Sequence, residues 1–218
     1  MKTLKLGVLA SGRGSNFQAI IDSIETGYIK ARINVLITDN PRAFSVERAK
    51  KHGIDSLVML PKNYASRDEY FRDITAELKK RDVELVVLAG FMRIVGKPLL
   101  EAYPNSVMNI HPALLPSFPR LHGQKQANDY GVKITGCTVH FVDEGMDTGS
   151  IIIQAAVPVR DDDTEETLSE RILKLEHKIF PEAIKIFSEG RIEMHGRKVR
   201  IKGLVFDESP LINPPLGK

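Results

Sequence analysis

Short apolar runs at residues 6–10, 33–37, 56–60, 85–89 and 107–110 alternate with segments of helical character. That rhythm predicts repeated βαβ units around a parallel sheet, because parallel neighbours need a crossover that a helix supplies. Beyond about residue 132 the texture changes: two long strand candidates, 134–142 and 151–159, flank a glycine-containing loop, and a helix follows over 164–188. The sheet is therefore expected to be mixed towards the C-terminal half. Residues 192–201, centred on His195-Gly196-Arg197, read as a hairpin, and Pro210, Pro214 and Pro215 mark an irregular tail. Three helix starts are expected from the spacing of a cap and its partner three residues on: Ser15 with Gln18, Ser66 with Glu69, and Asp163 with Glu166.

Composition narrows the class. With 218 residues, 42% hydrophobic and 27% charged, the chain can bury one α/β core, expected as a single domain over residues 1–218. Within it, residues 1–104 form a phosphate-binding half, 105–190 a catalytic half, and 191–218 the hairpin and tail. The formal charge of +3 is spread along the sequence and gives only a weak preference for anions. The single cysteine, Cys137, lies in an alternating apolar stretch and reads as a buried free thiol in a reducing, cytoplasmic compartment. The first residues carry no apolar segment with a cleavage site, so no export is expected. The longest largely apolar stretch, 85–92, is too short to span a bilayer.

Three constellations carry candidate chemistry. The first strand runs into Ser11-Gly12-Arg13-Gly14-Ser15-Asn16, where glycines let backbone amides approach an anion at a helix start. Phe17 replaces the third glycine of a dinucleotide fingerprint, and no Gly-Lys-Ser/Thr is present, which disfavours NAD and nucleoside triphosphates. A plain strand-to-helix turn is an equally good local reading. In the second constellation, Asn109-Ile110-His111-Pro112, the two-residue period of a strand turns Asn109 and His111 to one side. His111 is either a catalytic imidazole or a structural one that holds the following proline-rich loop. The third, residues 143–149, is a glycine-flanked acidic loop; it is either surface acid or the source of a carboxylate held beside His111 to favour its protonated form.

Four motifs in fixed order make the chain resemble the phosphoribosylglycinamide formyltransferases, folate-dependent enzymes of purine synthesis. They are Ser11-Gly12-Arg13-Gly14-Ser15-Asn16, the segment 88–94 around Gly90-Phe91-Met92-Arg93, the segment 109–116 from Asn109 to Pro116, and the segment 140–149 from His140 to Gly149. Glu176-His177-Lys178-Ile179-Phe180-Pro181 also looks like the family. The resemblance implies a Rossmann-like fold, a mostly parallel twisted sheet with helices on both faces. It implies that Gly14, Ser15 and Asn16 hold the phosphate of glycinamide ribonucleotide, with Glu176 near its ribose or glycinamide end. It implies that 10-formyltetrahydrofolate is read by Met92, Arg93, Ile94 and Val95, by the loop with Asp143, Glu144 and Asp147, by Asn109 and by Arg67. Asn109, His111 and Asp147 match the catalytic trio, and no metal is implied. The expected partners are these two small molecules, with neither nucleic acid nor membrane, in a monomer or homodimer.

Two positions depart from the family pattern. Arg120 stands where a glycine follows the Ser-Phe-Pro stretch, a place where positive φ is expected, and Ser150 stands where many relatives have proline. Leu173, with Lys174 beside it, aligns with a basic or polar position of some relatives, and Lys174 is not assigned to the phosphate. Methionyl-tRNA formyltransferase and formyltetrahydrofolate hydrolase share the core motifs, but the additional domain each carries does not fit in this length. The basic hairpin residues Arg191, Arg197, Lys198, Arg200 and Lys202 lack interleaved aromatics and read as a solvated face rather than an RNA patch. A binding protein that has lost catalysis, and a metal site built from His111, His122, His140 and Asp147, are the remaining alternatives.

Overall fold

A computed structural model describes residues 2–205 together with 211 and 213. Pro210, Pro214 and Pro215 of the expected tail lie outside the described residues. The strands are β1 (Leu4–Leu9), β2 (Ala31–Thr38), β3 (Ser56–Val58), β4 (Leu85–Leu88), β5 (Val107–His111), β6 (Ile134–Phe141), β7 (Ile151–Pro158), β8 (Ile192–His195) and β9 (Lys198–Ile201). The helices are α1 (Ser15–Glu25), α2 (Phe44–Lys51), α3 (Arg67–Lys80), α4 (Lys97–Ala102), α5 (Gly123–Tyr130) and α6 (Glu165–Ser188).

One seven-stranded sheet runs in the order β3-β2-β1-β4-β5-β6-β7, and β8 pairs with β9 as a separate hairpin. The pairs among β1 to β5 are parallel, whereas β5 with β6 and β6 with β7 are antiparallel. The mixed α/β sheet expected from the sequence is thus present, with His111 inside the fifth strand rather than just beyond it. β1, β4 and the second half of β2 are near-continuous buried apolar runs, the pattern of strands covered on both faces, whereas the edge strand β3 is largely exposed.

The two faces carry separate cores. On one, Leu6, Val8, Leu85, Val87, Met108, Ile110, Cys137 and Val139 pack with Phe17 and Ile20 of α1 and Leu168, Ile172, Phe180 and Ile184 of α6. On the other, Leu9, Val35, Val86, Leu88 and Val107 pack with Tyr70, Phe71, Ile74 and Leu78 of α3 and Leu99 of α4. This second core ends at β5. Beyond it the same sheet face carries the polar side chains of Asn109, His111, Thr138 and His140, and the loop after β5 packs on it at Ala113 and Leu115.

Helix starts follow capping chemistry, with two corrections. Ser66 behaves as expected: its Oγ accepts from Glu69 N at 3.1 Å, while Glu69 Oε2 accepts from Ala65 N at 2.9 Å. Ser15 is not a cap, because Gly14, at φ 67°, occupies that position and Ser15 is the first helical residue. Gln18 N bonds Gly14 O, and the Gln18 side chain turns to Asp22 and Arg48. Asp163 is not the α6 cap either. Thr164 and Thr167 form the reciprocal pair, because Asp163 is taken by both guanidinium nitrogens of Arg171, which holds its carboxyl well below the usual carboxylate range. Among the described residues no helix is long and apolar enough to cross a membrane.

Candidate active site

The turn after β1 is shaped by its carbonyls. Ser11 O accepts from Asn40 Nδ2 at 3.2 Å, Gly12 O from Ser45 N at 3.2 Å, and Arg13 O from Arg48 Nε at 2.9 Å. All three donors belong to the segment from the end of β2 into α2. These three carbonyls are thus held by that segment and Gly14 O by Gln18 N within α1, while the amides of Gly14, Ser15 and Asn16, at the start of the helix, have no backbone acceptor among the described residues. Gly14 is required twice over: its φ is positive, and a Cβ there would lie 2.8 Å from Ser45 Cβ. Arg48, Asn40 and Ser45 were not legible as part of this cradle, since only the fold brings them to it.

Asn16 and Glu176, to which the resemblance gives the phosphate and the ribose or glycinamide end of one substrate, are in direct contact. Asn16 Nδ2 donates to Glu176 Oε2 at 2.7 Å, and both side chains are buried. Burial raises the Glu176 pKa, opposed by the Asn16 bond. Asn16 Oδ1 is buried without a partner among the described residues. Cys137 lies on the adjoining core face, fully buried, its thiol pushed up to about 12 by desolvation and by the nearby Glu176 carboxylate. Lys174 is exposed and Leu173 partly buried.

The second half of the site lies on the open face of β5 and β6. Alternation puts Asn109 and His111 on that face, and the antiparallel register sets Asn109 opposite His140 and His111 opposite Thr138. Asn109 Nδ2 lies 3.2 Å from His140 Nε2, and His140 Nδ1 lies 2.8 Å from Phe141 O. A carbonyl can only accept, so Nδ1 carries the proton and Nε2 accepts from Asn109. Burial lowers the His140 pKa, which keeps the neutral tautomer that this arrangement needs. One Asn109 N–H is thereby fixed and the other is aimed away from His140. His140 had been weighed only as a metal ligand; its signal was the register, which no single-strand pattern contains.

His111 is buried, with Asp147 Oδ2 3.6 Å from its Nδ1 and Phe118 O 2.8 Å from its Nε2. Both ring nitrogens face acceptors, and the contact with Phe118 O fits the reading in which His111 holds the loop that follows it. Asp147, at φ 57°, also places Oδ1 3.9 Å from His140 Nε2 and accepts Arg120 N at 2.7 Å. The loop behind His111 is braced by Thr138, whose Oγ donates to Ala113 O and accepts from Leu115 N, and by Gln154, which reaches both Leu115 O and Thr138. Arg120 indeed holds a positive φ, 74°. Of the four residues weighed as metal ligands, His111, His140 and Asp147 meet, whereas His122 is exposed and near Glu165.

The residues expected to read the folate fall in two places. Arg67, Met92, Arg93 and Ile94 line one cavity of about 470 Å³ with Tyr64 and Tyr70, and Val95 is buried beneath. Asp143 and Glu144 sit on the separate loop that carries Asp147. Asp143 Oδ1 accepts from Gly145 N and Thr148 Oγ, so its side chain is committed to holding that loop.

A glycine turn at a strand-to-helix junction, set on the same sheet as an amide, an imidazole and a carboxylate, places the chain in the doubly wound α/β class, with these groups near the strand ends. The chain belongs to the formyl transferase family, to which residues 4–184 match. It is 46% identical over 181 residues to the phosphoribosylglycinamide formyltransferase of Bacillus subtilis, covering 83% of this chain and 93% of that one. It is 47% identical over 188 residues to the trifunctional purine biosynthetic protein adenosine-3 of Drosophila melanogaster, matching 85% of this chain but spanning only 14% of that relative's length. The crystal structure of glycinamide ribonucleotide transformylase 1 from Symbiobacterium toebii matches with a TM-score of 0.90 and 51% identity, covering 91% of this chain and 94% of that one.

Proposed function

We propose that this chain transfers the formyl group of 10-formyltetrahydrofolate to the amine of glycinamide ribonucleotide, giving formylglycinamide ribonucleotide and tetrahydrofolate. The observation that carries this reading is the meeting of Asn109, His111 and Asp147 from one strand and one loop, with His140 between Asn109 and Asp147, on the same sheet as the glycine turn after β1. The ribonucleotide phosphate sits on the amides of Gly14, Ser15 and Asn16, and Glu176 faces the sugar end. The folate lies along Met92 to Val95, with Arg67 at the far end of the cavity.

The amine nitrogen attacks the formyl carbon, and the carbonyl oxygen becomes a tetrahedral oxyanion. Asn109, held by His140, offers its remaining N–H without reorganisation when that charge appears. Collapse breaks the bond from carbon to the folate N10, and the proton lost by the amine must end on that nitrogen. His111, oriented by Asp147, is placed to carry it, provided that its Nε2 exchanges Phe118 O for the substrate. Holding both substrates in attack geometry removes a large translational entropy cost. No covalent intermediate on the protein is needed.

Purified chain offered 10-formyltetrahydrofolate with glycinamide ribonucleotide, water or charged initiator tRNA as acceptor tests the reading directly. Formylation of the ribonucleotide is expected, and transfer only to water or tRNA refutes it. His111→Ala is expected to lower turnover by about 10²–10⁴ with the fold intact. Asn109→Ala is expected to lower kcat by about 10²–10³ with little change in ribonucleotide affinity; an effect confined to affinity removes the oxyanion role.

A further inference from the structure

We propose that Ser11 and the adjacent pair Asp39-Asn40 are positioning residues that staple the folate-reading backbone to the phosphate cradle. The proposal rests on the assignment of the two substrates above. Ser11 is the second residue after β1, inside the phosphate motif, yet its side chain serves the other site. Its Oγ accepts from Met92 N at 2.9 Å, and its own N donates to Gly90 O at 3.0 Å. The amide of Met92 is thus consumed by the protein, which leaves the groups after it, from Arg93 to Val95, to meet a ligand.

The second strut comes from the connection between β2 and α2. Asn40 Nδ2 holds Ser11 O, and Asn40 is itself fixed by Thr38 Oγ, which accepts from its N at 3.2 Å, and by Arg42 N, which donates to its Oδ1 at 3.0 Å. One residue earlier, Asp39 Oδ2 accepts from Arg93 Nε at 2.6 Å. Consecutive residues therefore grip the two substrate segments, and the Ser11 hydroxyl closes the triangle.

The Asp39 carboxylate is only 6% exposed, and its Oδ1 is buried without a partner among the described residues. A desolvated carboxylate with one oxygen unbonded is unfavourable for stability. Its retention next to a half-exposed Arg93 makes sense if the orientation of the 92–95 backbone matters more than the local stability. The consequence is a separation of roles within one motif. Gly14 to Asn16 act on the ribonucleotide, and Ser11 acts on the folate.

The test uses Ser11→Ala, Asp39→Asn and the hydroxyl-retaining Ser11→Thr, with melting curves to confirm folding. Ser11→Ala is expected to raise KM for 10-formyltetrahydrofolate about fivefold, the weight of one lost hydrogen bond, and Asp39→Asn, which keeps an acceptor for Arg93 but loses the charge, about threefold, with KM for the ribonucleotide changed less than about twofold. Ser11→Thr is expected to restore most of the folate KM. A ribonucleotide KM that rises as much as the folate KM, or no change in either, overturns the proposal. Calorimetry with tetrahydrofolate alone and with inorganic phosphate alone reads the two sites without an acceptor. If the wild type fails to formylate the ribonucleotide but Ser11→Ala weakens tetrahydrofolate and spares phosphate, the staple stands and the assignment of acceptor falls. Equal weakening of both ligands, or no tetrahydrofolate binding by the wild type, sinks the staple.

Discussion

Arg120 holds φ 74° in a loop where Phe118 and His122 are also left-handed, at 51° and 63°. Such a conformation disfavours an L side chain by about 1–2 kcal/mol, and glycine gives back part of that through its freer unfolded state. Arg120→Gly is therefore expected to raise stability by up to about 1 kcal/mol without abolishing activity, since the bond to Asp147 uses the backbone N–H; an unchanged urea midpoint would show that no strain is stored there. Glu176 gives a pH-dependent case. Its pKa is raised by burial, so the folded state favours the protonated carboxyl, and the charge costs stability once pH exceeds the ordinary carboxylate range. Glu176→Gln keeps an acceptor for Asn16 and removes the charge. It is expected to melt higher near neutral pH, by about 2–4 °C for each kcal/mol released, with the gap closing towards about pH 4 and with weaker ribonucleotide binding. Melting temperatures that differ equally at both pH values would contradict the sign.

At the scale of elements, the strands were readable from the sequence to within a few residues because alternation and apolar runs report burial directly. The caps of α1 and α6 were not. A cap needs a free side chain, and Asp163 had an Arg171 two turns along the helix to bind instead, while Gly14 took the turn that Ser15 was expected to begin. Gly149 shows how one residue can act on a distant side chain through a shared carbonyl. A Cβ on Gly149 would lie 1.7 Å from Phe141 O, the same carbonyl that fixes the tautomer of His140 and through it the amide of Asn109. Gly149→Ala is expected to lose about 1–3 kcal/mol of stability and a disproportionate share of kcat. Equal losses in a variant destabilised elsewhere to the same extent, compared by unfolding and single-turnover kinetics, would remove the link to Asn109.

For the whole molecule, the mixed sheet and the pairing of Asn109 with His111 could be read from one strand, whereas the cradle's supports and His140 required the register between strands. Local pattern cannot reveal contacts between residues 11 and 92 or 109 and 140, because they depend on which strands become neighbours. The sheet order then has a metric consequence. The cradle follows β1 and the reacting side chains stand on β5, with β4 alone between them. Two strand spacings amount to roughly 10 Å, so the sheet works as a ruler: an acceptor is measured by the span from its anionic end to its nucleophile, and a molecule bearing the same amine on a shorter frame cannot reach both marks at once.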